Sequence, residues 1–149
     1  MQCGQVRHMD LRVSAIAVAA LAMGAAVYAL DRPPGSAQLL PLGATLFPDT
    51  ALSFGSMGAW LPAFLHVFAF SLLTAALLNA SRLAAASACF AWWAIDSLFE
   101  LGQHPAISPH LAAAYFVRGR FDSADLLATA LGALCAYATL KMIRRRETP

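Results

Sequence analysis

The chain has 149 residues, of which 60% are hydrophobic and only 12% are charged. Soluble domains carry roughly 25% charged and about 45–50% apolar residues, so this composition excludes an ordinary water-soluble domain. The formal net charge of +2 is small, and the Lys and Arg residues stand at the ends of apolar runs instead of forming a basic stripe. We therefore expect an integral membrane protein that does not bind nucleic acid.

Four apolar segments approach the length of a membrane-spanning helix. A span needs about 20 mostly apolar residues because the hydrocarbon core is about 30 Å thick. The predicted helices cover residues 13–30, 58–78, 83–103 and 123–142. The third and fourth helices bring acidic residues into or against the apolar run. The sequence thus predicts an all-α, polytopic membrane protein with a single domain, a four-helix transmembrane bundle.

The first apolar segment has a second interpretation as a cleaved signal peptide. Arg7 and Arg12 precede it, and small residues near positions 27–29 resemble a cleavage site. Its uncharged run is longer than the roughly 7–15 residues usual for the apolar part of a signal peptide. We favour a retained anchor, with cleavage as the alternative.

The distribution of Lys and Arg predicts how the helices are oriented, because cytoplasmic segments carry an excess of both. With four spans, one side holds Arg7, Arg12, Arg82, Lys141, Arg144, Arg145 and Arg146, and the other holds Arg32, Arg118 and Arg120. We therefore expect both termini in the cytoplasm and the two longer connections on the outer side.

The last outer loop contains a second helical signal. Ser108 is a favoured N-cap residue, and Pro109 suits the first position of a helix. The apolar residues that follow at helical spacing are Leu111, Ala112, Tyr115 and Phe116. We predict a short interfacial helix that covers the outer end of the bundle.

Small residues recur at a spacing of four in three of the predicted spans. The sets are Ala20 with Gly24, Ala84 with Ala88, and Ala128 with Gly132 and Ala136. Small side chains let helix backbones approach closely in lipid. We interpret these sets as helix-packing seams.

Polar residues interrupt the apolar helices near their predicted outer ends. The candidate ligand-binding residues, or members of a polar network, are His66, Asp96, Glu100, Gln103, Arg118, Arg120, Asp122 and Asp125. Asp96, Glu100 and Gln103 share one face of the third helix because they are four and three residues apart. A charge at the centre of a membrane helix costs about 2.5–3.5 kcal/mol, so convergence of several ionisable groups indicates a functional site. We predict one outward-facing polar pocket.

Each of these residues also has a purely structural interpretation. Asp122 and Asp125 stand in the first turn of a helix, where carboxylates complement the helix dipole and cap free N–H groups. Asp96 and Glu100 can pair with His66 or with the nearby arginines and so make the bundle specific. The same residues can therefore form either a ligand pocket or a structural polar network, and the sequence leaves both interpretations open.

The order of these residues resembles the VanZ-like family of small bacterial membrane proteins. That family has a histidine in the second helix, Glu-x-x-Gln at the end of the third, an arginine, and Asp-x-x-Asp at the start of the fourth. Here His66, Glu100-Leu101-Gly102-Gln103, Arg120 and Asp122-Ser123-Ala124-Asp125 match that order, and the resemblance covers about residues 60–137.

The chain departs from the family pattern at two places. Thr129 stands where VanZ-like proteins usually have Asn, and Arg118-Gly119-Arg120 stands where they usually have Pro-Gly-Arg. The resemblance implies four or five membrane helices in the bacterial inner membrane. For the named member of the family it implies a link to reduced susceptibility to the glycopeptide antibiotic teicoplanin, and it implies no established reaction.

These observations favour a VanZ-like envelope protein whose outward pocket takes a lipid head group or a lipid-like antibiotic, with membrane lipids as partners. The alternative is an accessory transmembrane subunit of a larger membrane complex, in which the polar cluster is internal scaffolding. A metal-assisted hydrolase using His66 and the carboxylates is a third possibility, but no paired-histidine spacing supports it. We expect no cofactor and no metal, and no sequence motif identifies an enzyme.

Overall fold

The computed structural model describes residues 6–31, 54–78, 80–111, 116 and 119–147. The long helices in these residues are α1 (Val6–Asp31), α2 (Ser56–Leu77), α3 (Arg82–Gly102) and α4 (Ser123–Glu147). A short 3₁₀ helix lies at Ser108–His110, Phe116 is also helical, and this part of the chain contains no strand. The prediction of an all-α protein is therefore confirmed.

Three of the four long helices are long and apolar enough to cross a membrane. These three segments are Leu11–Asp31, Ser56–Leu77 and Ser123–Arg145. Helix α3 is not among them, because two tryptophans and two acidic residues lower its hydropathy. Its 21 residues would nevertheless extend about 31 Å at the usual helical rise. A fourth span through α3 stays a prediction.

Helix α2 is the central element of the fold. It packs against α1, α3 and α4, and α3 also packs against α4. The α2–α3 connection is tight, and the Ser81 hydroxyl caps α3 by accepting from the Ala84 backbone N–H at 3.2 Å. Consecutive helices are antiparallel, so the chain has two ends at which helix termini gather.

The two ends of the helix assembly differ in charge. The "acidic end" is where α1 and α3 finish and α2 and α4 begin, and it carries Asp31, Asp96, Glu100, Asp122 and Asp125. The "basic end" is the opposite one, and it carries Arg12, Arg82, Lys141, Arg144 and Arg145. This is the asymmetry from which the sequence predicts a cytoplasmic basic end.

Hydrogen bonds tie the connections to both ends. At the acidic end the Phe54 backbone N–H donates to Asp31 Oδ1 at 2.8 Å, which joins the end of α1 to the start of α2. At the basic end the Arg144 guanidinium donates to the Ala80 carbonyl oxygen, which joins α4 to the α2–α3 turn.

The main core lies toward the basic end and consists largely of small residues. Its buried members are Val13, Ala17, Leu72, Ala75, Ala76, Ala80, Ala85, Cys89, Ala136 and Leu140. Glycines bring the helix backbones close together. A Cβ on Gly132 would lie 2.5 Å from the Phe64 carbonyl oxygen, and a Cβ on Gly24 would lie 3.2 Å from Leu65 Cβ. The packing seams predicted in α1 and α4 are thereby confirmed.

The predicted interfacial helix is only partly within the described residues. Ser108–His110 forms a 3₁₀ helix in which Pro109 occupies one of the first positions, and it ends at Leu111. Residues 112–115 lie outside the described residues. Phe116 is described, and it packs against the end of α3, where a Cβ on Gly102 would lie 2.7 Å from its ring.

A candidate ligand cavity at the acidic end

A cavity of about 880 Å³ lies between the helices on the acidic side of the core. All four long helices contribute to its wall. Its polar lining residues are Tyr28, His66, Asp96, Glu100, Gln103, Asp125 and Thr129. The wall therefore brings together groups from four separate parts of the chain.

His66 and Asp96 face each other across the α2–α3 contact. The His66 Nδ1 atom lies 3.5 Å from Asp96 Oδ2. The His66 side chain is 46% exposed, whereas the Asp96 side chain is 14% exposed. The His66 imidazole is thus accessible from the cavity, and the Asp96 carboxylate lies beside its Nδ1 atom.

An aromatic cluster adjoins this pair. The His66 ring lies 4.6 Å from the Phe70 ring, and the Phe70 ring lies 4.7 Å from the Trp92 ring. Trp92 is held in place because its Nε1–H donates to Thr74 Oγ1 at 2.8 Å. This part of the cavity wall is therefore aromatic, and the hydrogen bond from Trp92 in α3 to Thr74 in α2 fixes the position of Trp92.

Glu100 connects the end of α3 to the start of α4. Its side chain is buried, and its Oε1 atom accepts a hydrogen bond from the Asp122 backbone N–H at 2.5 Å. The Asp122 carboxylate in turn accepts from the Ala124 backbone N–H at 2.9 Å, as an N-cap does. Glu100 therefore has a structural role in addition to its place in the cavity wall.

Gln103 and Thr129 complete the polar wall. The Gln103 side chain lies against Gly119, where any Cβ would collide with it. The Thr129 hydroxyl donates to the Leu126 carbonyl oxygen at 3.0 Å within α4. Thr129 also lines the cavity, where it presents a hydroxyl group.

The cavity is bounded on one side by α1 and α3, which share no extensive interface in the described part of the chain. Two apolar residues of α3 on this side, Ile95 and Phe99, line the cavity and are also substantially exposed. Leu21 and Ala25 of α1 line the opposite edge. The rim is consequently apolar where the polar wall ends.

The structure brings together most, but not all, of the predicted site residues. His66, Asp96, Glu100, Gln103 and Asp125 line the one cavity. Arg120 and Asp122 are exposed and do not line it. Arg118 lies outside the described residues. Of the two candidate arginines, Arg120 is thus not part of the observed wall.

Trp92 and Tyr28 are among the lining residues that were not predicted from the sequence. Trp92 stands four residues before Asp96, and that spacing places both on one face of α3, so helical periodicity could have identified it. Tyr28 belongs to α1, which contributes no other polar residue to the cavity lining. Only the packing of α1 on α2 brings Tyr28 to the cavity.

The described residues contain no group of three His, Cys, Asp or Glu side chains arranged to hold a metal ion. The fold and the cavity define a small helical protein with three candidate membrane spans and a polar cavity near one end of them. No protein-family model, curated protein sequence or solved structure matches the chain.

Proposed function

We propose that the chain is a VanZ-like protein of the bacterial inner membrane whose cavity holds the head group of a membrane amphiphile, either a lipid or a lipid-like antibiotic. In this proposal the four helices form a transmembrane bundle with cytoplasmic termini, and the acidic end faces outward. The carrying observation is a cavity with a polar wall and an apolar rim in a protein with candidate membrane spans.

The size of the cavity supports this proposal. Sites for small molecules typically enclose about 300–1,000 Å³ and combine an apolar lining with a few placed polar groups. The observed cavity of about 880 Å³ lies in that range. It is large enough for a head group and the first part of an acyl chain.

The energetic cost of placing ionisable side chains in this wall also supports the proposal. Ionisable residues within membrane helices are expensive, and they usually mark a ligand site or an ion path. His66 is deep in α2 and Asp96 lies more than one turn inside α3, yet both face the cavity. Four of the residues that carry the VanZ resemblance, namely His66, Glu100, Gln103 and Asp125, belong to the same wall, whereas Arg120 and Asp122 do not.

Extraction of the tagged protein in a mild uncharged detergent, followed by mass spectrometry of the intact protein and its bound molecules, tests the binding function. We expect a stoichiometric amphiphile on the wild type. Ala25→Trp should displace it, because Ala25 lines the cavity and is exposed. Ala26→Trp is the matched control, since Ala26 is an exposed neighbour that does not line the cavity.

Identical bound molecules on wild type, Ala25→Trp and Ala26→Trp would refute the cavity as a binding site. A stoichiometric protein partner in place of an amphiphile would instead support the accessory-subunit alternative. These outcomes are separable because intact-mass measurements distinguish a protein from a lipid.

Labelling with a membrane-impermeant maleimide tests the orientation, starting from a chain whose native cysteines are replaced by serine. We expect His104→Cys to react in intact spheroplasts and Arg145→Cys to react only after the membrane is permeabilised. Reaction of both sites from the outside would show that α4 does not cross the membrane, and the reverse pattern would overturn the outward acidic end.

A further inference from the structure

We infer that the cavity selects amphiphiles with an ammonium head group. This inference rests on the proposed amphiphile binding and specifies its ligand class. Three carboxylates line the cavity, namely Asp96, Glu100 and Asp125, whereas no described Lys or Arg does. The single lining residue that can carry a positive charge is His66, 3.5 Å from Asp96.

The sign of the charges on the wall decides which head groups fit. Charges interact strongly where water is scarce, and like charges repel by a comparable amount. A phosphate or carboxylate head group would add negative charge beside three carboxylates, and no described Lys or Arg lines the cavity to clamp it. An ammonium group would provide the opposite charge, and its N–H or N-methyl groups suit carboxylate oxygens.

The aromatic cluster is an independent indication of a cation. Cations bind over the faces of aromatic rings, and recognition of ammonium groups commonly uses several such rings around a pocket. Phe70 and Trp92 line the cavity with ring centroids 4.7 Å apart, and the Trp92–Thr74 hydrogen bond holds them in position. Tyr28 adds a ring from α1.

The apolar rim accommodates the rest of such a ligand. Ile95 and Phe99 are exposed on the side of the cavity bounded by α1 and α3. An alkyl chain attached to a head group in the cavity can leave along these side chains into the hydrocarbon of the membrane. The ligand is therefore an alkyl or acyl chain with a primary or quaternary ammonium group.

A pair of synthetic probes tests the selectivity directly. Both carry the same brominated alkyl chain, and one ends in trimethylammonium while the other ends in carboxylate. The protein is purified in dodecyl maltoside as the Trp60→Phe/Trp93→Phe variant, so that Trp92 is its one tryptophan. Bromine quenches tryptophan fluorescence at short range, so quenching of Trp92 reports binding in the cavity.

We expect the trimethylammonium probe to reach half-maximal quenching at a concentration about ten-fold lower than the carboxylate probe, as favourable pairing with carboxylates predicts. Asp125→Asn should remove most of this preference. Asp122→Asn is the matched control, because it changes the net charge equally at the same end but outside the cavity wall. It should leave the preference intact.

The possible results separate the two proposals. Equal quenching by both probes, abolished for both by Ala25→Phe, which narrows the cavity without adding a tryptophan, would overturn the ammonium selectivity while amphiphile binding stands. Stronger quenching by the carboxylate probe would also overturn it. Quenching by neither probe, or quenching that Ala25→Phe does not alter, would overturn both proposals.

Discussion

The same four helices meet at the basic end and at the acidic end, but they pack differently. At the basic end, alanines such as Ala17, Ala75 and Ala136 are almost completely buried, and the helices enclose a continuous apolar core. At the acidic end the helices leave a cavity of about 880 Å³ whose wall contains carboxylates. The closely packed apolar core and the polar groups of the cavity therefore lie at opposite ends of the helix assembly.

The size of the side chains explains this difference. Small residues let helices approach closely, as Ala17, Ala75 and Ala136 do in the core at the basic end. Large rings such as Phe70, Trp92 and Phe99 line the acidic half and hold the helices apart. A closely packed half can therefore act as a rigid base for a half that stays open to a ligand.

The largest expected effect on stability comes from a substitution in the closely packed half at the basic end, which we call the closed half; the half that contains the cavity is the open half. Leu72 is fully buried in the core, and Leu72→Ala leaves a space that Ala-rich neighbours cannot fill. Core Leu→Ala changes cost about 2–5 kcal/mol in soluble proteins, and the packing part of that loss persists in a membrane. We expect a marked fall in the midpoint of unfolding in detergent, measured by titration with sodium dodecyl sulfate.

Leu77→Ala is the control for that measurement. Leu77 belongs to the same helix but is 82% exposed, so its truncation removes contact with detergent or lipid instead of with the core. Equal losses for Leu72→Ala and Leu77→Ala would contradict the division into a closed and an open half.

A smaller effect is expected from Glu100→Ala in the open half. The change leaves the Asp122 backbone N–H without its carboxylate acceptor, which should cost about 1–3 kcal/mol. His104→Ala should cost less, because its Nδ1 accepts from the exposed Ala106 N–H of its own loop and its ring has an edge contact with Phe121, and neither leaves a buried group without a partner. Glu100→Gln retains an acceptor oxygen and should restore most of the stability while removing the charge.

Thermal unfolding of the three variants in one detergent compares these values. The order we expect is Glu100→Ala least stable, then His104→Ala and Glu100→Gln close to wild type. Equal unfolding temperatures for Glu100→Ala and His104→Ala would show that the hydrogen bond of Glu100 does not hold α3 to α4.

Helix number and order could be predicted from the sequence, but helix length could not. The predicted bounds of 58–78 and 83–103 agree closely with α2 and α3. Helix α1 begins seven residues before the predicted position 13, at Val6, and α4 continues to Glu147 instead of position 142. Hydropathy marks the part of a helix suited to lipid, and charged residues such as Arg12 and Arg144 continue the helix beyond it.

The candidate site was predictable where residues share a helix face. Spacing alone grouped Asp96, Glu100 and Gln103, and all three line the cavity. Arg120 lies in a connection, where no periodicity constrains its direction, and its predicted place in the pocket does not agree with the structure. The contribution of Tyr28 depended on how α1 packs against α2, which a single sequence does not encode in its spacing.

The smallest expected effect comes from Trp92→Phe, which tests how the two halves are joined. The change keeps an aromatic ring but removes the N–H that donates a hydrogen bond to Thr74 Oγ1. Such a hydrogen bond contributes about 0.5–1.5 kcal/mol to the free energy of unfolding. Trp93→Phe is the matched control, since Trp93 contacts Phe90 at a ring distance of 5.4 Å and does not line the cavity. We expect Trp92→Phe to lower the unfolding midpoint more than Trp93→Phe and to weaken amphiphile binding, because the ring is then free to tilt into the cavity. Equal midpoints with unchanged binding would show that packing alone positions the aromatic wall, and the division between a rigid base and an open site would then not depend on this hydrogen bond.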